Sequence, residues 1–500
     1  MEINFETKTV RAFHESARLI KRTQLSMESV VPDINDDIGR LYSVQPSVLL
    51  KSKDVTARGA AVTGELAVAL LYINELENAV FDLHFTQSFS LDFDLPDPDP
   101  DTQTQIRLFV SNAEARALNP RKVSVTVEVG GELSTYAEEE SRIAVCLPRS
   151  DGEQIYTKEE RVQSALINAV CEKTFVVNEQ FPFTAGMCAP DRLLAQKVDF
   201  RLADRQLIGS KILLKGNVCV SVCYMTVDTA LPVSAEFSAP FSQLIEIGQE
   251  QMDVCSIRIE PTSLYFDLID TISGEKAIDT EIHAVVQLVS RYRQEIDYLS
   301  DAYAARCPVS LAFESWSILT ADAPERFLLE SDEQFELPED CEEIQSVIKT
   351  LGPCVLGQGK AECSLCFDIL YRCSGGTLSS TKRLVQLSSE CPVKEAVLRE
   401  TRLLGGYERC EGNQLIEHVC VELIYERSKE QQISCAVGMT LDEERPYDAS
   451  RLPTVTAVRV DRESVWDLAK RYHSSCAEIE ALNETDGPIR GKMLLIPKCL

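Results

Sequence analysis

Cysteine is the residue type in this sequence with the widest capacity for chemistry, either as a nucleophile or as a metal ligand. There are 18 cysteines but only five histidines, and a thiol nucleophile needs a nearby base. Cys363 and Cys366 form a Cys-x-x-Cys pair. On a strand, residues three apart point to opposite faces, so this pair is a poor chelate for zinc. We therefore expect ordinary buried thiols, with no metal and no cofactor.

Acidic side chains are too numerous for any single pair to indicate catalysis. Asp and Glu total 79 against 50 Lys and Arg, which gives a net charge of −29. Such a surface repels phosphate backbones and anionic lipid, which argues against nucleic-acid or membrane-surface binding. The sequence contains no nucleotide-binding glycine loop and no Gly-x-Ser-x-Gly motif. These observations favour a protein that is not an enzyme, over a hydrolase with β accessory domains.

Length and hydropathy limit the class of protein further. The chain has 500 residues, of which 44% are hydrophobic, enough for several domain cores. The longest apolar runs, such as residues 67–73, have the length of a strand, so no transmembrane helix is expected. The first residues lack the basic and then apolar pattern of a secretory signal. We expect a cytoplasmic protein whose cysteines stay reduced.

A repeated segment predicts the elements that carry these residues. Residues 64–72 begin with Gly, alternate in polarity and end with Tyr, and residues 216–224 do the same. Each segment is followed by Phe-x-x-x-Phe-Ser and preceded by Arg-Leu, with an offset of 152 throughout. Residues 363–371 form a degenerate third copy, in which Cys363 replaces the Gly. This self-similarity predicts repeated structural units.

Alternation within the copies predicts half-buried β-strands. In the first copy one strand face carries large apolar residues and the other carries smaller ones such as Ala67. Cys219 of the second copy stands where the first has Ala67, and Cys223 stands where it has Leu71, so these thiols are expected to pack rather than react. We expect three mainly β, sandwich-like antiparallel units and a small C-terminal unit. Their predicted bounds are 1–150, 151–320, 321–450 and 454–500.

Two segments have the composition of connections. Residues 321–340 are acidic and contain Pro324 and Pro338, so we expect them to separate the second and third units. Residues 443–453 predict a short, stiff linker.

The net charge is distributed unevenly along the chain. From residue 454 onward seven basic and seven acidic residues balance, so the whole net charge of −29 lies in the β units. Attraction of a basic partner would come from those units, and contact specificity from the C-terminal unit.

The C-terminal unit has the pattern of a strand, two helices and a strand. Ser464 can cap a first helix, whose buried stripe carries Val465, Leu468, Ala469 and Tyr472. Ser475 can open a second helix, in which Ile479 and Leu482 are expected to point inward. Short strands are predicted at residues 456–460 and 493–496. Together these elements predict a small α+β unit of the βααβ type.

The sequence of this unit, from Val458 to Pro497, closely resembles a LysM domain. LysM domains usually bind N-acetylglucosamine polymers through the loop after the first strand and the loop before the last. Where the family usually has Gly-Asp-Thr in the first loop, this chain has Arg462-Glu463-Ser464. Glycine lets a backbone approach a sugar closely, whereas Arg462 carries a long side chain. The resemblance therefore implies the LysM fold, with an altered ligand loop.

Trp466 is the most informative candidate contact residue. It lies one position off the buried stripe, which turns it toward the helix edge or solvent. An exposed Trp is a typical anchor of a protein interface, although packing against the linker or the domain rim is the alternative. The candidate partner- or glycan-binding residues lie on this helix and on the two loops: Asp461, Arg462, Glu463, Ser464, Trp466, Lys470 and Ile489.

The upstream copies resemble SPOCS domains of endospore-forming bacteria, through the Gly-to-Tyr spacing, the later Phe-Ser and the trailing Asp301-Ala302-Tyr303. SPOCS repeats followed by one LysM domain are the arrangement of SipL-type spore-coat morphogenetic proteins. The resemblance implies a non-enzymatic assembly factor in the mother cell, on the forespore surface. Its LysM domain would hold the stage-four sporulation ATPase that polymerises under the coat. The alternative is a peptidoglycan-binding protein of the cortex or cell wall.

Overall fold

The structure is a computed structural model of the full chain, described over most of its length. The described residues are 2–74, 79–96, 99, 101–146, 154–184, 186–227, 231–248, 250–272, 274–321, 324–338, 341–393, 396–404, 406–411, 413–448, 453–483 and 489–498. The predicted boundary between the first and second units, at residues 150 and 151, lies outside them.

The described part is mainly β, as the sequence predicts, and its helices are both near the C-terminus. The strands are β1 (Glu2–Asn4), β2 (Glu6–Val30), β3 (Arg40–Thr56), β4 (Gly59–Asn74), β5 (Ala79–Phe93), β6 (Gln103–Asn119), β7 (Lys122–Cys146), β8 (Ile155–Pro182), β9 (Pro190–Ile208), β10 (Lys211–Thr226), β11 (Pro232–Glu246), β12 (Val254–Asp270), β13 (Lys276–Ala304), β14 (Val309–Ala321), β15 (Glu325–Glu336), β16 (Cys341–Gly357), β17 (Lys360–Cys373), β18 (Leu378–Glu390), β19 (Val397–Leu404), β20 (Glu408–Glu411), β21 (Gln414–Glu426), β22 (Ser428–Leu441), β23 (Val455–Arg459) and β24 (Met493–Pro497). The helices are α1 (Val465–Tyr472) and α2 (Cys476–Asn483).

The same strand order recurs along the β region. In the first unit, β3, β4 and β5 form a three-stranded antiparallel meander, and β2, β7 and β6 form a second sheet. In the second unit β9–β11 form the meander, and β8, β13 and β12 pair as the longer strands. Because β8 pairs with β2, the longer strands of the two units form one six-stranded sheet in the order β12-β13-β8-β2-β7-β6. In the third unit the meander is β16–β18. There the long strands are divided, so that β14 pairs with β22 and β15 pairs with β21.

The large apolar faces of the repeated segments form the cores of these units. In the first unit Leu66 and Tyr72 of β4 are buried in one cluster with Val125 and Val127 of β7. The repeated glycine has a packing role. A Cβ on Gly64 would lie 2.4 Å from the ring of Phe89, its partner across the sheet. The absence of a side chain therefore leaves room for the ring.

The prediction that residues 321–340 form a connection is wrong, because most of this segment is strand β15. Burial alternates along this strand, with Leu329 and Phe335 inside and acidic residues such as Glu330 outside. The predicted unit boundary at 320 also falls inside β14, whose partner β22 belongs to the third unit. A half-buried strand with acidic residues on its solvent face has the same composition as an acidic linker. Only the alternation of polar and apolar residues, with a period of two, distinguishes the strand from the linker.

The second faces of the meander strands meet where the three units join. Leu71 of β4, Cys223 of β10 and Leu370 of β17 belong to one buried cluster. Burial raises the pKa of the Cys223 thiol to about 12, so it stays protonated and packs as an apolar group. The expectation that these cysteines pack agrees with this geometry, but burial of both faces of the strand was not expected.

The repeated Arg-Leu pair supplies contacts between units. Arg192 of the second unit donates a hydrogen bond from Nη1 to Oδ1 of Asp82 in the first, over 2.5 Å. Arg40 of the first unit donates to Ser379 in the third. Ser43 also crosses this boundary, since its hydroxyl donates to Oδ2 of Asp368 over 2.7 Å. The same sequence position is thus used twice to join one unit to another.

Buried charges connect the longer sheets. Arg291 of β13 and Glu426 of β21 are only 2% and 1% exposed, and they pair at 3.0 Å. Glu132 of β7 accepts from Arg18 and lies 3.4 Å from Arg258 of β12. These arginines hold the pKa of the Glu132 carboxyl below its usual value, despite its burial. Charges buried in this way depend on their partners for stability.

Glu260, on β12 beside this cluster, predicts a pH dependence of stability. Burial raises the pKa of its carboxyl from 4.5 to about 7. Between those values the folded chain holds a proton that the unfolded chain has released, so stability falls as the pH rises and the loss levels off above pH 7. The expected loss is about 3 kcal/mol. Melting temperatures should therefore fall more steeply between pH 5 and 8 in the native chain than in Glu260→Gln, in which Glu417, whose pKa burial also raises to about 7, still contributes. Parallel curves for the two proteins would contradict the assignment.

Candidate functional site

The first helix of the C-terminal unit begins where the sequence predicts. Ser464 is its N-cap: the hydroxyl accepts a hydrogen bond from the backbone N–H of Asp467, whose carboxylate accepts from the backbone N–H of Ser464. These hydrogen bonds lower the pKa of the Asp467 carboxyl. The helix ends at His473, which has a φ of 53°. This reciprocal cap defines the start of α1 and the direction of the loop before it.

The second helix agrees with the prediction except at Leu482. Ile479 is buried, but Leu482 is 46% exposed. The facing sheet has only two strands, β23 and β24, which are too narrow to cover both residues. Asn483, at the end of α2, exchanges two hydrogen bonds with the backbone of Leu495 in β24, each 2.6 Å long. This contact fixes the helix against the strand. Neither helix of the described residues has the length or apolar content needed to cross a bilayer.

The two loops implied as a ligand site lie side by side. The N–H of Val460 donates to the carbonyl of Lys492, and the N–H of Gly491 donates to the carbonyl of Val460, over 2.9 and 2.8 Å. Asp461 and Arg462 are exposed in the first loop, and Ile489 is half-buried in the second. The chain thus brings these three candidates to one edge of the unit.

Glu463 and Ser464 have structural partners instead of open surroundings. The carboxylate of Glu463 accepts a hydrogen bond from Nη1 of Arg471 over 2.7 Å, which lowers the pKa of this carboxyl. Ser464 is the helix cap. Both residues shape the first loop, and neither presents an uncommitted polar group along it.

Trp466 and Lys470 contact the second β unit. The indole Nε1–H of Trp466 donates to Oδ2 of Asp301 over 2.8 Å. Nζ of Lys470 donates to both oxygens of the same carboxylate, over 2.7 and 2.8 Å. The Trp466 ring also meets the Tyr303 ring edge-on, with centroids 5.0 Å apart. We call Asp301, Tyr303, Trp466 and Lys470 the docking contact.

The end of β13 is shaped for this contact. The pairing of β13 with β8 shifts by one residue between Leu299 and Asp301, so Ser300 forms a bulge. A bulge changes the direction of the side chains that follow it. Beyond it, Tyr303 stacks on Tyr156 of β8 with centroids 5.1 Å apart. The Tyr303 hydroxyl donates to the carbonyl of Ser474 over 2.6 Å. Tyr303 is therefore part of the hydrophobic core of the C-terminal unit.

A second contact comes from the segment that precedes the C-terminal unit. The Tyr447 ring lies over the His473 ring, with centroids 3.7 Å apart. The N–H of Tyr447 donates to the carbonyl of Arg306, which follows β13. Burial lowers the pKa of the His473 imidazole, which favours its neutral form in this contact. The described part of the linker therefore runs along the docked domain.

The thiols that could do chemistry are dispersed among strands. Cys363 is buried on β17, directly opposite Cys354 of β16. Cys366 is on the other face of β17, where it lies 3.9 Å from Oδ1 of Asp368. Within the described ranges no group of three His, Cys, Asp or Glu residues could hold a metal ion. Cys354 faces Cys363, and Cys341 faces Cys373, across β16 and β17, so these four cysteines lie in two pairs.

Asp301 and Tyr303 are the contact residues that sequence reasoning missed as functional. Both belong to the Asp-Ala-Tyr motif that carries the family resemblance. A further signal is available in the sequence. Residues 302–305 break the polar–apolar alternation of β13, and Ala302, Tyr303, Ala304 and Ala305 are all buried. Loss of alternation at a strand end predicts cover on both faces.

A comparison with family models identifies part of the first β unit. Residues 37–118 match the model described as SipL, SPOCS domain. The match begins just before β3 and ends near the end of β6. Searches of curated proteins and of solved structures found no significant match. Residues 37–118 are therefore similar to a SipL SPOCS domain, which confirms the resemblance over this segment.

Proposed function

We propose that this protein is a non-enzymatic assembly factor of the spore coat, which acts in the mother cell at the forespore surface. Its C-terminal unit, a LysM domain by sequence resemblance, recruits the polymerising coat ATPase. The observation that carries the proposal is the SPOCS match at residues 37–118, in a chain that ends with a βααβ unit. The second and third β units are further SPOCS-like copies in this proposal.

The docked geometry supports a division of roles within the C-terminal unit. Trp466 and Lys470 are engaged by Asp301, so they hold the unit on the second β unit. Asp461, Arg462 and Ile489 lie on the loops away from that carboxylate and contact the partner. Arginine is among the side chains that commonly anchor protein interfaces, and Arg462 is exposed at this edge. The three β units act as a rigid support for this edge.

Substitution of the loop residues tests the proposed recruitment. Full-length chains carrying Arg462→Ala or Asp461→Ala should fold normally, because both residues are exposed. They should retain about tenfold less coat ATPase in co-purification from sporulating cells, since an anchor residue is worth about 1–2 kcal/mol. Trp466→Ala should also weaken capture, because it loosens the docking contact. Arg445→Ala, an exposed arginine in the linker region, is the matched control. Unchanged recovery with both loop variants would contradict the proposal.

The native chain and the loop variants also distinguish protein binding from glycan binding. The βααβ fold of the C-terminal unit is the feature that favours the glycan alternative. Sedimentation with insoluble peptidoglycan should leave the full-length chain in the supernatant, because Arg462 occupies the loop position where the family has glycine. Firm retention that is lost in Arg462→Ala or Asp461→Ala would replace coat recruitment with peptidoglycan binding.

A further inference from the structure

A cavity of about 400 Å³ lies between the second and third β units, away from the C-terminal unit. Strands β9 and β12 line one side, and β15, β19 and β21 line the other. Five arginines line it, although the chain as a whole carries a net charge of −29. They are Arg205, Arg258, Arg326, Arg399 and Arg402. The general composition of the chain does not account for this concentration of positive charge.

The carboxylates that line the cavity already have partners. Glu426 accepts from Nη1 of Arg291 and from Nε of Arg399, over 3.0 and 2.7 Å. Glu400 accepts from Nε of Arg402 over 2.6 Å. Glu422 pairs with both Arg326 and Arg402, each over 3.5 Å. Glu422 and Glu426 are thus each shared between two guanidinium groups, and the arginines outnumber the carboxylates that pair with them. Buried charge of one sign is costly unless an opposite charge is supplied.

Arg258 shows the clearest deficit of hydrogen-bond acceptors. It is 8% exposed, and among the described residues its Nη1 atom is buried without a hydrogen-bond partner. Its nearest carboxylate, Glu132, lies 3.4 Å from Nη2 and also serves Arg18. Arg258 lines both this cavity and an adjoining one of about 180 Å³, where Arg399 and Arg402 are also found. A guanidinium with one unpartnered buried nitrogen beside two other guanidinium groups is an arrangement that binds an oxyanion.

The nearby acid does not neutralise this charge fully. The Glu260 carboxyl lines the adjoining cavity, and its raised pKa of about 7 leaves it partly protonated at neutral pH. Asp204 lines the main cavity, and its Oδ1 accepts from the backbone N–H of Arg205. Six arginines and five carboxyl groups line the two cavities together. This small excess of positive charge, with the unpartnered Nη1 of Arg258, favours an anionic ligand.

We propose that the cavity between the second and third β units binds a phosphoryl group, through Arg258, Arg399 and Arg402. The three guanidinium groups come from two strands, one in each unit. A phosphoryl group presents three oxygens in different directions, whereas a carboxylate presents two in one plane, so the phosphoryl group satisfies more of the donors. A volume of about 400 Å³ also leaves room for the remainder of a small phosphorylated molecule. Binding would hold the two units together.

Titration calorimetry on the full-length chain, at physiological ionic strength, tests this proposal with inorganic phosphate, pyrophosphate and ATP as probes. At least one probe should bind and raise the melting temperature. Arg258→Gln should weaken binding by about tenfold, since it removes charge-assisted hydrogen bonds. Arg161→Gln, an exposed arginine paired with Asp297 elsewhere, should bind as the native chain does. Tighter binding of pyrophosphate or ATP indicates a phosphorylated molecule, and equal affinity for phosphate indicates the free ion.

Three outcomes would overturn the proposal. None of the probes binds, or Arg258→Gln binds them as tightly as the native chain, or sulfate at equal ionic strength stabilises the protein as strongly. If Arg258→Gln does not fold, Arg326→Gln serves in its place, because its side chain is 65% exposed at the cavity rim. That variant should fold and weaken binding about threefold, and native affinity in it would then count against the site.

Discussion

Tyr303→Ala is expected to release the C-terminal unit from the β units. The substitution removes the ring that lies between Tyr156 and Trp466, together with the hydroxyl bonded to Ser474. Loss of a buried aromatic side chain costs about 3–5 kcal/mol. The fraction of molecules in which the C-terminal unit stays bound to the second β unit should therefore fall. The chain has two tryptophans, and replacement of Trp316 by Phe leaves Trp466 as the only one. Its fluorescence should then shift to longer wavelength and become more accessible to acrylamide.

Two further variants check this interpretation. Asp301→Ala should shift the Trp466 emission in the same direction, because it removes the acceptor of the indole N–H and the partner of Lys470. Tyr265→Ala is the control, since this tyrosine is exposed on β12. An emission spectrum that is unchanged by both Tyr303→Ala and Asp301→Ala would show that the docking contact does not form in solution.

Glu426→Ala is expected to be the most destabilising of the charge substitutions. It leaves Arg291 and Arg399 without their shared carboxylate, in a region where Arg291 is 2% exposed. Removal of one partner from a buried ion pair costs about 3–5 kcal/mol, because the remaining charge stays desolvated. The free energy of unfolding from urea titrations should fall by that amount, and the first transition should involve the second and third units.

The control for this prediction is an ion pair of the same chemistry at the surface. Arg161 and Asp297 pair at 2.6 Å with side chains that are 63% and 54% exposed. Asp297→Ala should therefore change stability by less than about 1 kcal/mol. Equal changes in the free energy of unfolding for Glu426→Ala and Asp297→Ala would contradict the burial of the Arg291–Glu426 ion pair.

The repeated strands of the β units could be predicted from local pattern. Strand β15 could not, because its segment was predicted to be a connection between the second and third units. Alternation in residues 64–72 and 216–224 depends on neighbouring positions alone, so it is visible without a structure. Residues 325–336 alternate as well, but their acidic face and the flanking prolines resemble a connection. Whether such a segment is a strand depends on its partner, here β21, which lies some eighty residues later in the chain.

The candidate site likewise has some features that the sequence predicts and others that it does not. Ser464 caps α1 as predicted, because a cap is formed by residues three positions apart. The position of Trp466 off the buried stripe also follows from helix geometry. Its partner does not, since Asp301 is 165 residues away in sequence. Helix periodicity shows which side chains leave the local core, but not which surface receives them.

The sequence by itself determined the repeated strands, the βααβ order of the C-terminal unit and the family resemblance, because all of these depend on short-range spacing. The tertiary structure alone decided how the units join. Arg40 and Arg192 occupy equivalent sequence positions, yet one meets Ser379 and the other Asp82. Such long-range pairs depend on packing between whole sheets, where the burial of charge and apolar surface selects the partner.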